Sequence, residues 1–351
     1  MVADDLEQQA QRCLSRLAYD YFVGGADDEL TLAENVAAWR CLRLRPRVLR
    51  DVSKVSTETT VLGTAVSLPA LVAPMAYQRL AHDDGERATA QGAAAAGTVM
   101  IASTVATISL EDIAAAAPRA VRWFQLYVHR DRGWTAELVA RAVAAGYRAI
   151  VFTIDVPVLG LRRRDELNRF QLPPGMVMAN VGEPPPEEVD GSAIMAYASD
   201  QLDPGLTFAD IEWLRELCDL PILVKGVLRG DDARACVDAG AGGIVVSNHG
   251  GRQLDTAVTT AAALPEIVDA VGDDVEVLVD GGIRRGTDIV KALALGAQAV
   301  LVGRPVLWGL ASGGAEGVRS VLETLRDEFA RALTLCGAPT VGGVTADLLA
   351  R

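Results

Sequence analysis

The chain has 351 residues, of which 50% are hydrophobic and 23% are charged, and its formal net charge at pH 7 is −13. This composition supports a sizeable core, and so acidic a chain lacks the basic surface that nucleic acids require. Five widely spaced cysteines without a CxxC pair, an acidic start and no apolar run of roughly 18 residues predict a soluble cytoplasmic protein with free thiols and no membrane partner.

The first 68 residues predict helices and a hairpin, and a regular pattern follows them. Residues 4–23 have an amphipathic pattern that ends at Gly24-Gly25, a pair typical of a helix C-cap. A second helical stretch covers about residues 28–38, and segment 61–66 predicts a short hairpin or plug strand. Apolar strand-like runs then alternate with alanine-rich helical stretches. The predicted strands are 71–73, 98–102, 121–126, 149–154, 221–224, 243–246, 275–279 and 299–302, and the predicted helices are 85–96, 110–116, 135–145, 208–218, 231–239, 264–271, 286–295 and 315–335.

Eight strand-then-helix units over about 260 residues match the size of an α/β (β/α)8 TIM barrel. Alternation alone also fits an open doubly wound sheet. We therefore expect one domain over residues 1–351, with an N-terminal helical segment and plug at 1–68 and the barrel at 69–335. The connection after the fourth strand is anomalous because it is about fifty residues long and rich in proline and glycine. Residues 173–206 within it are predicted to form a mobile loop.

Polar side chains follow the predicted strands at the end where TIM barrels carry their chemistry. His249 offers the imidazole best suited to accept a proton near neutral pH, and Arg252 offers a guanidinium suited to a carboxylate. A capped turn with a solvated arginine is the alternative for these two residues. The strand-end residues are Pro74, Met75, Ala76, Ser103, Gln125, Tyr127, Thr153, Asp155, Lys225, Ser247, His249, Arg252, Asp280, Gly281, Gly282, Ile283, Arg284, Gly303 and Arg304.

The glycines and arginines after the seventh and eighth strands predict a phosphate site, because barrels commonly bind phosphate there. Combined with Lys225 after the fifth strand, this site suits a phosphorylated cofactor such as FMN, with the lysine near the pyrimidine end of its ring. Two tight turns with solvated arginines are the alternative. The three histidines are far apart and form no metal-binding motif.

These motifs together resemble the FMN-dependent 2-hydroxy acid oxidases and dehydrogenases, such as glycolate oxidase, lactate oxidase and mandelate dehydrogenase. Ser-Asn-His-Gly-Gly-Arg-Gln-Leu-Asp at 247–255 is the most specific match, and the segments 124–127, 222–226, 280–286 and 302–305 add to it. Segment 72–82 looks most similar to the 4-hydroxymandelate oxidases. The resemblance implies FMN, a small 2-hydroxy acid, O2 or another electron acceptor, and a homotetramer.

The resemblance also implies roles for individual residues. His249 is implied as the catalytic base, Asp155 as the group that orients it, and Tyr127 as the partner of the substrate hydroxyl. The substrate carboxylate is assigned to Arg252 and Arg162, with the hydroxyl of Tyr21 beside it. FMN is assigned to Pro74, Met75, Ala76, Ser103, Gln125, Thr153, Lys225 and Ser247, with its phosphate at Asp280, Gly281, Gly282, Ile283, Arg284, Gly303 and Arg304. Taken singly, each residue also fits a packing, turn or surface role, which is what we expect for His82 and His129.

Two departures from the family pattern affect the predicted substrate. Val105 stands where glycolate oxidase-like members often carry a bulky aromatic residue, which favours a larger or aryl side chain on the substrate. Gly160-Leu161-Arg162 stands where the family usually has Gly-Arg-Arg, and Arg163 and Arg164 are alternatives to Arg162.

The sequence thus predicts FMN-dependent oxidation of a bulky, mandelate-like (S)-2-hydroxy acid to the 2-oxo acid, with O2 reoxidising the flavin to give H2O2. Alternatives are a quinone or carrier protein as acceptor, lactate or glycolate as substrate, another FMN barrel enzyme, or a non-catalytic flavoprotein. The residues fit both a hydride and a carbanion route.

Overall fold

The computed structural model describes residues 3–181 and 193–350, and its N-terminal part is helical. The helices there are α1 Ala3–Cys13, α2 Arg16–Val23 and α3 Leu30–Cys41. The prediction of one helix over 4–23 is wrong, because Ser15 has an extended backbone and starts a new helix. Its side chain accepts a hydrogen bond from the N–H of Ala18 at 3.2 Å, which is the usual way to cap a helix N-terminus.

The hairpin predicted at 61–66 is confirmed. Strand β1 (Thr59–Val61) pairs antiparallel with β2 (Thr64–Val66), and both contribute buried valines to the cluster that includes Trp123. The N–H of Leu62 in the turn donates to a carboxylate oxygen of Glu276 at 2.8 Å. Since Glu276 is the first residue of a barrel strand, the hairpin covers the N-terminal end of the barrel.

Eight parallel strands close into a barrel, which confirms the predicted (β/α)8 TIM barrel. The strands follow chain order around the barrel, and the last pairs with the first, with Val300 opposite Ala70. They are β3 Ala70–Val72, β4 Met100–Ser103, β5 Arg122–Leu126, β6 Ile150–Thr153, β7 Ile222–Val227, β8 Gly243–Val246, β9 Glu276–Val279 and β10 Ala299–Val302. The later helices are α4 Gly85–Ala95, α5 Leu110–Ala116, α6 Arg132–Ala144, α7 Arg163–Leu167, α8 Ala193–Gln201, α9 Ala209–Leu217, α10 Gly230–Asp238, α11 Thr260–Val271, α12 Gly286–Ala294 and α13 Arg304–Cys336.

Two helical regions differ from the sequence-based expectation. The final helix begins at Arg304 rather than at 315, because Pro305 lies in its first turn, where a missing N–H costs nothing. It kinks at Gly313 and Gly314, whose dihedral angles are not helical. The segment 173–206 contains helix α8, while its residues 182–192 lie outside the described part of the chain and its mobility stays a prediction.

The barrel interior is filled by apolar side chains from alternate strand positions, as expected for eight strands. Leu71, Ile101, Trp123 and Leu223 belong to one buried cluster inside it. The remaining strand residues pack outward in a cluster shared with the surrounding helices. Polar residues are therefore confined to the strand ends. Within the described residues, no helix has the length and apolar character needed to span a bilayer.

Replacing Leu71 by alanine should lower the free energy of unfolding by about 2–5 kcal/mol, because this fully buried side chain would leave a cavity in the barrel. Leu335→Ala is the matched control, since Leu335 is 67% exposed and its truncation should change stability by less than about 0.5 kcal/mol. Urea denaturation followed by circular dichroism measures both, and equal losses would contradict the packing described.

Candidate active site

A cleft of about 1220 Å³ opens at the carboxyl ends of the barrel strands. The cleft is lined by every residue predicted for the site except Asp155 and Ser247. Those two contact lining residues from behind, Asp155 against His249 and Ser247 against Lys225.

His249 and Asp155 form a hydrogen-bonded pair at the edge of the cleft. Nδ1 of His249 lies 2.9 Å from Oδ1 of Asp155, and the two side chains are 19% and 11% exposed. A carboxylate accepts hydrogen bonds, so Nδ1 carries the ring proton and Nε2 of the neutral imidazole keeps its lone pair. Nε2 lies 3.5 Å from the hydroxyl oxygen of Tyr127. The pair can therefore act as an oriented base.

Left-handed backbone places this imidazole. His249 has φ 57°, and Gly250 and Gly251 follow with φ 63° and 75°. A Cβ at Gly251 would lie 2.6 Å from backbone atoms of Leu32, so only glycine fits there. Gly226 at the end of β7 has φ 112°, and a Cβ there would lie 2.6 Å from Cβ of Asp155. Gly226 in β7 and the two glycines after β8 thus allow the base and the carboxylate to meet.

The protonation states of the pair follow from its surroundings. Burial lowers the pKa of His249 below its usual value, and the charge of Asp155 offsets this only in part. Burial raises the pKa of Asp155, but the charges of His249 and Lys225 have the larger combined effect, so the pKa of this carboxyl is lowered overall. Near pH 7 the imidazole is therefore neutral and the carboxylate is ionised, as a general base and its partner need to be.

Two arginines and a tyrosine lie beside the base. Nη1 of Arg252 donates to the carbonyl oxygens of Tyr21 and Gly24 at 2.8 and 2.7 Å, and its guanidinium lies 5.0 Å from the centroid of the Tyr21 ring. Arg162 is buried and lines the cleft. Burial and the charge of Arg162 lower the pKa of Arg252 to about 10, so Arg252 remains cationic at neutral pH. Paired guanidinium groups of this kind suit a bound carboxylate.

The neighbours of Arg162 in sequence point elsewhere. Arg163 forms an ion pair with Asp28 at 2.8 Å, and Arg164 binds Glu29 at 2.7 Å. Of the three consecutive arginines, only Arg162 lines the cleft. The two alternatives that the sequence left open are therefore occupied in surface contacts with the N-terminal segment.

The lysine and the glycine-rich loops line the same cleft. Nζ of Lys225 donates to Oγ of Ser247 at 2.9 Å and lies 3.2 Å from Oδ2 of Asp280. Burial lowers the pKa of Lys225, but Asp280 and Asp155 raise it above its usual value, so the lysine is charged. Gly282 has φ 85°, and a Cβ there would lie 2.4 Å from the carbonyl oxygen of Asn35.

Arg304 has structural contacts that the sequence did not indicate. Its guanidinium donates to the carbonyl oxygens of Phe22, Gly24 and Gly250 at 2.9–3.1 Å. It therefore ties the end of α2 to the loop that carries the base. Burial, together with Arg252 and Arg284, lowers the pKa of Arg304 well below its usual value, so an anion in the cleft would relieve this repulsion.

Sequence reasoning missed part of the apolar lining. Tyr197, Ala198 and Leu202 reach the cleft from α8 and the residue after it, and Val156 and Leu159 lie beside them. Tyr197 lies in a segment that the sequence predicts to be a loop, and nothing in its sequence pattern indicates that it lines the cleft. His129, expected to be a surface or packing residue, is buried, whereas the side chain of His82 is 35% exposed. The described residues contain no cluster of three or more metal-ligating side chains.

Comparisons with known proteins show the family to which the chain belongs. Residues 10–351 match the family described as FMN-dependent dehydrogenase. The chain is 53% identical to L-lactate oxidase of Nostoc sp. over 352 residues, covering 98% of this chain and 96% of the relative. It is 50% identical to 2-hydroxyacid oxidase 1 of Homo sapiens over 344 residues, with coverage of 96% and 93%. A crystal structure of mandelate oxidase with (S)-4-hydroxymandelic acid has a TM-score of 0.93 at 46% identity, covering 99% of this chain and 98% of that one.

The fold and the site define a flavin-dependent barrel enzyme. The chain belongs to the FMN-dependent dehydrogenase family, and FMN is its cofactor. This confirms the resemblance that the sequence motifs indicated.

The residues of the cleft fit FMN. Nε2 of Gln125, Oγ1 of Thr153 and Oδ1 of Asp280 are buried and have no hydrogen-bond partner within residues 3–181 and 193–350. An amide donor, a hydroxyl and a carboxylate acceptor together match a flavin, whose ring edge alternates acceptors with a donor and whose tail carries hydroxyl groups. The positive charges of Arg284, Arg304 and Lys225 suit its phosphate and its reduced ring.

Replacing Gln125 by leucine should raise the dissociation constant of FMN about 2- to 12-fold, because a neutral hydrogen bond contributes about 0.5–1.5 kcal/mol. Titration of apoprotein with FMN, followed by flavin fluorescence, measures the constant. Gln298→Leu serves as the control, since Gln298 donates to the carbonyl of Thr60 in the hairpin at 3.2 Å. Equal FMN affinity in the two variants would contradict the assignment of Gln125.

Proposed function

We propose that this enzyme oxidises an (S)-2-hydroxy acid to the 2-oxo acid and that O2 reoxidises its flavin, giving H2O2. The observation that carries the proposal is the neutral imidazole of His249, held by Asp155 and lying in the same cleft as Arg252 and Arg162. A base beside two guanidinium groups suits a substrate that carries both a carboxylate and a proton to be removed. The relatives named above are oxidases of such acids.

The chain supplies binding and proton transfer. Arg252 and Arg162 bind the substrate carboxylate, with the Tyr21 hydroxyl beside it. Burial raises the pKa of Tyr127, so its hydroxyl stays protonated and can donate to the substrate oxygen as charge develops there. His249 removes a proton through Nε2, and the ionised Asp155 stabilises the imidazolium that forms. These residues serve a hydride route and a carbanion route equally well.

FMN, when bound, accepts the two electrons that leave the substrate. The residues proposed to hold it are Pro74, Met75, Ala76, Ser103, Gln125, Thr153, Lys225 and Ser247, with Asp280, Gly281, Gly282, Ile283, Arg284, Gly303 and Arg304 toward the phosphate. Lys225 would supply a positive charge that favours the reduced form of bound FMN. Ser247 acts indirectly in this scheme, because its hydroxyl accepts from Lys225 Nζ and from the His249 N–H at 2.9 and 3.0 Å.

The cleft favours a bulky, mandelate-like side chain. Val105 lines it with a small side chain, and Val156, Leu159 and Leu202 add apolar surface near Tyr127. Burying an aryl group against such a wall is favourable by roughly 25 cal/mol per Å². Lactate is the second candidate, since the Nostoc relative is named a lactate oxidase.

We also propose that residues 1–351 act as one domain, that the protein is cytoplasmic, and that it assembles as a homotetramer. All five cysteines are free, as is usual in a reducing compartment, although some relatives are named as peroxisomal. Light scattering on the purified holoenzyme tests the assembly, and a mass four times that of the chain is expected.

An anaerobic titration tests substrate and acceptor together. Bound FMN should lose its visible absorbance with (S)-mandelate or (S)-4-hydroxymandelate at lower concentrations than with lactate or glycolate. Admitting air should restore the colour within seconds and produce one H2O2 per acid oxidised. Bleaching by none of these acids would refute the proposed function, and slow recovery in air that a quinone accelerates would make the enzyme a dehydrogenase.

Replacing His249 by glutamine should slow flavin reduction about 10²- to 10⁴-fold, because the general base is lost. FMN should remain bound, since the carboxamide is close to the imidazole in size. His82→Gln, at a partly exposed histidine that does not line the cleft, is the control and should reduce at the wild-type rate. Stopped-flow absorbance under nitrogen measures both rates, and an unchanged rate in His249→Gln would refute the assignment.

The rate of flavin reduction should fall as the pH drops through the pKa of His249, which lies below the usual value of about 6.5. The base is active only when neutral, so activity is present above this pKa and lost below it. In Asp155→Asn the acidic limb should move to lower pH, because the carboxylate that raises the imidazole pKa is gone, and the maximal rate should fall at least about 10²-fold. A limb that moves to higher pH would contradict this role for Asp155.

A further inference from the structure

Helix α8 approaches the cleft at the end where the base lies. Tyr197 and Ala198 on this helix, and Leu202 after it, line the cleft. Ala198 and Leu202 pack against Val156 in a small apolar cluster, against which Tyr127 also packs. The proposed substrate side chain would therefore meet α8.

A buried histidine, His129, forms a hydrogen bond with the hydroxyl of Tyr197. Nε2 of His129 lies 2.6 Å from the hydroxyl oxygen of Tyr197, and Nδ1 lies 3.2 Å from the carbonyl oxygen of Tyr127. Only 2% of His129 is exposed, and the centroid of its ring lies 4.0 Å from that of Trp134. One imidazole thus connects the strand end that carries Tyr127 to the helix that carries Tyr197.

The chemistry of these partners fixes the direction of both hydrogen bonds. A carbonyl oxygen accepts only, so Nδ1 of His129 carries the proton and donates to Tyr127. Nε2 is then an acceptor, and the Tyr197 hydroxyl must donate to it. Burial lowers the pKa of His129 to about 4, so the ring stays neutral and this arrangement persists at neutral pH. Tyr197 is therefore held by a hydrogen bond in which its hydroxyl is always the donor.

The segments around His129 hold the rest of α8 in the same place. The N–H of Arg130 donates to the carbonyl of Gln201 at 2.9 Å, and the N–H of Asp203 donates to that of Val128 at 3.1 Å. Arg132 binds Asp203 at 2.7 Å. The backbone is thus anchored at the end of α8, and His129 adds the side-chain contact that orients an aromatic ring toward the cleft.

We propose that His129 is a positioning residue that fixes Tyr197 as one wall of the substrate cleft, and that it thereby sets the preference for 2-hydroxy acids with bulky side chains. A ring held in one orientation offers contact area to an aryl group without an ordering cost. Glycolate and lactate have too little side chain to use this wall. The inference rests on the proposed function, because it concerns the substrate of that site.

The test compares His129→Phe, His129→Gln, Tyr197→Phe and the double variant His129→Phe with Tyr197→Phe, all as holoenzymes. His129→Phe keeps an aromatic ring of similar size but cannot accept from Tyr197, and Tyr197→Phe removes the donor. Glutamine can donate to the Tyr127 carbonyl and accept from Tyr197, so His129→Gln should rescue the function.

His129→Phe and Tyr197→Phe should each raise KM for (S)-mandelate about 2- to 12-fold, the effect expected from one neutral hydrogen bond. Their kcat should change less than twofold, and KM for lactate should stay within twofold of wild type. The double variant should be no worse than either single variant, because both remove the same bond. Equal rises in KM for mandelate and lactate, or additive effects in the double variant, would overturn the proposal.

Hydrogen exchange supplies a readout that does not depend on catalysis. Amides of residues 197–201 should exchange faster in His129→Phe and Tyr197→Phe than in wild type, while those of the barrel strands stay unchanged. Unchanged exchange in α8 would overturn the proposal, as would faster exchange throughout the barrel in both variants.

The two proposals fail in different ways. If no 2-hydroxy acid reduces the FMN of the wild-type enzyme, the proposed function fails. If the wild-type enzyme is active and His129→Phe keeps its preference for mandelate, only this inference fails.

Discussion

The hydrogen bond between Asp155 and His249 is the contact on which the site depends. It joins the ends of two strands whose residues are 94 positions apart in the chain. Gly226 lets Asp155 approach, and the left-handed turn at 249–251 aims the imidazole into the cleft. Burial alone keeps His249 neutral, whereas Asp155 stays ionised because the charges of His249 and Lys225 outweigh the effect of burial on its pKa. The barrel provides the rigid frame in which the two strand ends stay in register.

Positive charge is the second constraint on the cleft. Burial lowers the pKa of Arg252 and of Arg304, and the positive charge of Arg162 adds to this effect at both residues. Asp165 is buried beside Arg162, with 4.0 Å between charged atoms, but burial raises the pKa of this carboxyl and limits the compensation it gives. Anions that enter the cleft therefore replace a repulsion with ion pairs. In the proposed function, a flavin phosphate and a substrate carboxylate would supply that charge.

The sequence predicted the strand ends well because a barrel imposes one rule on every strand. Each apolar run ends where the cleft begins, so Gln125, Lys225 and His249 could be assigned to one surface without knowledge of their contacts. Contacts made by helices could not be predicted in this way. The break at Ser15 depends on one cap, and α8 begins where local composition predicts a loop. The partnership of His129 with Tyr197 depends on the path of the chain between them.

A crystal structure of the holoenzyme with benzoylformate, a 2-oxo acid with a phenyl side chain, tests the central claim most directly. The account predicts its carboxylate within hydrogen-bonding distance of Arg252 and Arg162, and its oxo group facing Nε2 of His249 and the Tyr127 hydroxyl. The flavin should lie between this acid and Lys225. An acid bound away from the arginines, or an imidazole at 249 turned out of the cleft, would contradict the account.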